Sequence, residues 1–174
     1  MNVTDIAAII DAEVTIGGKN KVLATALRIA AEREHAPIVL LVGEEGVCPV
    51  SGQYYDDLTK DLFVAGIQRI AARVKAHTSV FIHEAWLTVA PAGKGIPTDE
   101  EIAQLRSSGA FRQEALIISV EQRGKEPLLV AAMIGVEGGI GTRKVGSFER
   151  LPGTAMSGRM IDMLGELETG GETV

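Results

Sequence analysis

Ala115 to Gln122 and Leu128 to Val136 are two apolar runs of strand length, and the turn Gly124-Lys125-Glu126-Pro127 lies between them. A parallel pair needs a crossover of a dozen or more residues, so strands this close pair antiparallel, as a hairpin. Helices do not alternate with strands after Val89, which disfavours a doubly wound sheet.

Upstream, the pattern turns helical. Residues 4 to 14 read as a short helix with Thr4 at its N-cap, broken by Gly17 and Gly18. Residues 19 to 34 read as a second helix, with Val22, Leu23, Ala26, Leu27 and Ala30 as its apolar stripe and Pro37 as its stop. Ile38 to Val42 is a continuous apolar run, expected as a central strand covered on both faces. Residues 43 to 52 read as a loop. A long helix follows over about 56 to 76, with Leu62, Phe63, Ile67, Ile70, Ala71 and Val74 at helical spacing. Gly66 sits on that face, where close packing against another backbone would explain it.

Val80 to Val89 is the next strand, and the strand-helix-strand unit from 38 to 89 leaves room for a parallel pair. Thr98 to Glu101 has capping-box spacing and starts a short helix. Gly135 to Lys144 reads as a Gly-rich hairpin loop, because it lacks the Gly-Lys-Ser/Thr ending of a phosphate loop. Lys144 to Arg150 reads as a last short strand. Met156, Met160, Met163, Leu164 and Leu167 make an amphipathic C-terminal helix, and residues 168 to 174 a frayed tail. The expected fold is a single α+β domain over 1–174. Its sheet is mostly antiparallel, with 4–5 strands and helices packed mainly on one face.

Composition narrows the function. Aromatics are 4% of the chain, which disfavours a base-stacking surface, and the net charge of -6 disfavours nucleic acid generally. The single cysteine, Cys48, excludes an intramolecular disulfide and any Cys-cluster metal site. With no basic region ahead of the first apolar stretch, the expectation is a cytoplasmic protein. No apolar run reaches the roughly 20 residues of a membrane span.

His83 and Glu84 carry ionisable groups on one strand, Arg112 and Glu114 on or beside the next, and the chain's only Trp, Trp86, lies two residues past Glu84. Strand alternation sends His83 and Glu84 to opposite faces, so they are no catalytic dyad. Glu84 and Trp86 share a face, where an indole beside a carboxylate suits a general base. The competing reading is a structural Glu84–Arg112 ion pair at a sheet end. His35, His77 and His83 match no zinc-ligand spacing, although His35 and His77, each just before a strand, suit one sheet end.

The segment His83-Glu84-Ala85-Trp86-Leu87-Thr88, followed by Arg112-Gln113-Glu114-Ala115-Leu116-Ile117, resembles a pattern in small uncharacterised phage and bacterial proteins. In these a Glu-Ala-Trp strand precedes an Arg-x-Glu strand. The resemblance implies no activity. It implies only that Glu84, Trp86, Arg112 and Glu114 belong together.

With no cofactor fingerprint and no nucleophile constellation, the expected role is a self-associating or protein-binding module, a homodimer by preference, without catalysis, cofactor or metal. The alternative is a small-molecule-binding protein or enzyme using the Glu84, Trp86 and Arg112 patch, with Glu114 beside it. There Arg112 would hold an anionic group.

Overall fold

A computed structural model describes residues 8, 20–88, 98–108, 112–137, 142–151 and 163–165. The short helix expected over 4–14 lies outside them apart from Ala8, as does the C-terminal helix over 156–167 apart from Met163 to Gly165. The tail 168–174 lies outside as well.

Helix α1 (Asn20–Glu32) buries Leu23, Ala26, Leu27 and Ala30, the stripe read from its sequence except for Val22, while Arg28 and Glu32 pair on its solvent side at 3.2 Å. Strand β1 (Ile38–Gly43) follows, and its residues alternate between two cores. Leu40 and Val42 pack with α1, whereas Val39 and Leu41 pack with Ile67 and Ala71 of helix α2 (Asp57–Arg73). Cover on both faces is why the run is apolar throughout. It also corrects the expectation of helices mainly on one face, because α1 and α2 lie on opposite sides of the sheet.

A second correction concerns residues 43 to 52. They form a hairpin, with β2 (Gly46–Ser51) antiparallel to β1 and Gly43 opposite Gly46. Pro49 argued for a loop, yet β2 is the outermost strand of the sheet, where a missing amide donor is tolerated. The hairpin reverses the chain before α2 begins. Strand β3 (Thr78–Thr88) therefore runs antiparallel to β1, Ile38 opposite Ile82 and Val42 opposite Thr78. The parallel partner of β3 in direction is β2, with β1 between them.

Helix α2 starts at Asp56, whose carboxylate accepts the Thr59 amide at 2.8 Å while the Thr59 hydroxyl accepts the Asp56 amide at 3.0 Å. The Thr59 hydroxyl also donates to the Asp56 carboxylate at 2.7 Å, and that bond first, then the one from the Thr59 amide, holds the Asp56 carboxyl below its ordinary range. At the other end, Ala76 N–H donates to Ala71 O at 2.8 Å and Lys75 N–H to Ala72 O at 3.2 Å, with Lys75 at φ 50°. This Schellman closure delivers His77, whose N–H donates to Val42 O at 2.9 Å and starts β3. The α2 stripe is narrower than its sequence suggests. Phe63, Ile67, Ile70, Ala71 and Val74 face the core, but Leu62 is 63% exposed.

After helix α3 (Asp99–Ser108), capped by Thr98 and Glu101, the sheet continues through β4 (Arg112–Gln122), β5 (Leu128–Glu137), β6 (Thr142–Val145) and β7 (Glu149–Leu151). The order is β2-β1-β3-β4-β5-β6, with β7 also on β5, so the described residues hold seven strands rather than the expected 4–5. Every pairing is antiparallel. The excess comes from β2 and from the division of the last strand into β6 and β7. Met163 and Leu164 are buried with the α2 core. The Arg123 guanidinium donates to Leu164 O and Gly165 O, both at 3.0 Å, and to Ala76 O at 3.2 Å, while the Glu121 carboxylate accepts the Met163 amide at 2.8 Å. The described part of the C-terminal region is thus tied to the end of β4.

Two glycines make opposite predictions. A Cβ on Gly43 would sit 2.2 Å from Val74 O, so Gly43→Ala is expected to lower stability by about 3 kcal/mol through backbone displacement. A Cβ on Gly66 meets nothing within 4 Å, so the close-packing reading of that residue does not hold. Gly66→Ala is expected to stabilise α2 by about 1 kcal/mol. Urea unfolding of the two variants measures both signs.

Candidate functional site

The β3–β4 register places Trp86 opposite Glu114, Glu84 opposite Leu116 and Thr88 opposite Arg112. Directly opposed residues share a face, so positions 84, 86, 112 and 114 do lie on one face. They are spread along it. Position 112, described through its backbone, is four residues of strand from the rung of Glu84, about 13 Å. Trp86 is 66% exposed and Glu114 half-buried.

Glu84 instead meets Arg143, on β6. Arg143 Nη2 donates to Glu84 Oε1 at 2.8 Å and to Ala30 O at 3.1 Å, in the last turn of α1. That carbonyl belongs to the set a helix end leaves without an internal partner. One guanidinium thus joins β6 and β3 and caps α1. The two side chains are only 11% and 16% exposed. Arg143 lies inside the stretch Gly135 to Lys144 read as a hairpin loop. Both ends of that stretch are strand, with β5 running to Glu137, β6 starting at Thr142, and the two paired across residues 138–141, which lie outside the described set. Nothing in local spacing links residue 143 to residue 84.

His35 is the third member. Its Nδ1 lies 2.7 Å from Ala36 O. A carbonyl only accepts, so Nδ1 carries the proton there. Its Nε2 is buried, lacks a hydrogen-bond partner among the described residues, and faces Glu84 Oε1 at 3.7 Å. His35 and His77 do not share a sheet end, since β1 and β3 are antiparallel. His77 Nδ1 contacts Thr78 Oγ1 at 2.9 Å. Among the described residues no group of three His, Cys, Asp or Glu side chains is placed to hold a metal ion.

His35 also lines an open-sided cavity of about 550 Å³. Val22, Ala26 and Ile29 of α1 form one wall. The floor is Ile38 and Leu40 of β1 with their rung partners Ser51 and Pro49 of β2, and Thr25 lies at the exposed rim. The cavity thus lies between α1 and the edge of the sheet, where β2 is the outermost strand. Val22 was the available signal: it belongs to the apolar stripe of α1 yet remains 39% exposed. His35 Nε2 is turned toward Glu84 with almost no contact with solvent, so a cavity occupant meets the imidazole ring rather than its basic nitrogen. The arrangement suits binding better than proton transfer.

His83 lies on the other face, its ring stacked on Phe81 with centroids 4.3 Å apart. Burial drives its pKa down to about 4. A hydrogen bond to the Glu84 backbone opposes the shift, and the charge of His35 adds to it.

Comparison with protein-family models, curated proteins and solved structures returns no match to this chain.

Removing one partner of the buried pair strands the other. Arg143→Met is expected to cost about 3 kcal/mol, and adding Glu84→Gln to recover much of that loss. A double-mutant cycle in urea measures the coupling. Because the folded-state pKa of His83 lies near 4 and the unfolded one near 6.5, the unfolded chain takes up a proton that the native state refuses. The stability contribution is complete above pH 6.5 and is lost as pH falls toward 4. About 2 kcal/mol should disappear between pH 7 and pH 5, and His83→Phe should remove that slope. An NMR titration of the His83 ring protons reads the midpoint directly.

Proposed function

We propose that this chain binds a small apolar molecule in the cavity between α1 and the β1–β2 hairpin. The observation that carries this reading is the cavity itself. Its volume of about 550 Å³ falls within the roughly 300–1,000 Å³ typical of ligand sites, and its walls are mainly aliphatic. A rigid frame supports it, because Arg143 fixes the end of α1 through Ala30 O and fixes Glu84 behind His35. The patch of Glu84, Trp86, Arg112 and Glu114 supports a ligand site less well, since the Glu84 carboxylate is already paired with Arg143.

Self-association is the second reading, including a homodimer. It is favoured by the exposed apolar side chains Trp86, Leu58 and Leu62, at 66%, 67% and 63% exposure. Light scattering across a concentration series distinguishes a monomer from a dimer. A single half-buried thiol suits a reducing compartment, the cytoplasm among them. No described helix is long and apolar enough to cross a membrane.

The neutral fluorophore N-phenyl-1-naphthylamine tests the cavity. Saturable single-site binding with a blue-shifted emission is expected. Thr25→Trp, which places an indole at the rim, should weaken it about tenfold or more. Signal that rises without saturation, or that ignores Thr25→Trp, removes the reading.

A further inference from the structure

Resting on that reading, we infer that the site selects uncharged ligands and rejects anionic ones, including fatty-acid carboxylates and phosphorylated molecules. Three observations carry the inference. First, no Lys or Arg is among the described residues that line the cavity. Arg143, the cation behind its polar end, is committed through Nη2 to Glu84 Oε1 and Ala30 O and is 89% withdrawn from solvent, its side chain being 11% exposed.

Second, the polar hydrogens of His35 and Ser51 at the lining are already used within the protein. His35 Nδ1–H points to Ala36 O at 2.7 Å, and Ser51 Oγ–H donates to Pro37 O at 2.9 Å. A carboxylate or phosphate entering the cavity would leave its hydration behind and find few donors in exchange. Third, the fixed charges at the polar end are negative or balanced. Ile29 brings the C-terminal end of α1 to the wall, where helix carbonyls concentrate negative partial charge. The Glu84 carboxylate stands 3.7 Å behind His35 Nε2. An uncharged head, such as a hydroxyl, loses far less hydration on entry, is not repelled by these charges, and can donate to a carbonyl at the lining.

Matched competitors test the inference. With N-phenyl-1-naphthylamine bound, 1-dodecanol is expected to displace the probe at concentrations at least tenfold lower than dodecanoate at pH 8. The two share a chain length and differ in head charge. Equal or stronger displacement by dodecanoate overturns the charge selection while leaving the cavity reading intact. Absence of probe binding overturns the cavity reading itself. Thr25→Lys, which sets a cation at the exposed rim, should strengthen dodecanoate binding severalfold relative to dodecanol. Dodecanoate binding unchanged in a Thr25→Lys protein that still binds the probe would also overturn the inference. Circular dichroism of that variant confirms its fold.

Discussion

The pairing of β3 with β4 is the constraint on which the other elements depend. It runs the full eleven residues of β3, from Thr78 opposite Gln122 to Thr88 opposite Arg112. The neighbours on either side are shorter. β1 accompanies β3 only as far as Ile82, and β5 accompanies β4 only from Ala115. One end of the ribbon is therefore flanked on both edges and buried, with Val80, Phe81, Ile82 and Ile118 excluded from water. The other end has lost those partners and carries the exposed Trp86. Glu84 stands at the boundary. It is too far inside to be hydrated freely, so its carboxylate requires a cation, and Arg143 supplies it.

That ion pair links the fold to the candidate site. A guanidinium from β6 reaches the last turn of α1 and the middle of β3 together, so the sheet is closed around the end of the helix. His35 fits against the same carboxylate, with its ring on the cavity wall. The charges are thus paired behind the lining while the lining itself stays aliphatic. A site built this way obtains selectivity from desolvation rather than from an exposed charge.

Much of this was legible locally. The apolar run of β1 announced cover on both faces, and the short β4–β5 connection announced an antiparallel hairpin. Alternation along β3 separated His83 from Glu84. The misreadings share one cause, namely that each depended on who the neighbour was. Pro49 reads as a loop residue unless its strand is known to be an edge. Gly66 reads as a packing glycine unless the space beside it is known to be empty. Arg112 reads as the partner of Glu84 because it is the nearest cation on the adjoining strand, while Arg143 approaches from a strand that does not border β3.

The sequence by itself determined most element types, the antiparallel β4–β5 hairpin and the faces of β3, because 3.6-residue and two-residue periodicities are local properties of the backbone. Tertiary structure alone decided the direction of β3, the placement of α1 and α2 on opposite faces, the Glu84–Arg143 pair and the cavity. Each of these depends on the single β2 reversal or on contacts between residues far apart in the chain. The periodicity of any one segment carries no record of which distant segment will cover it.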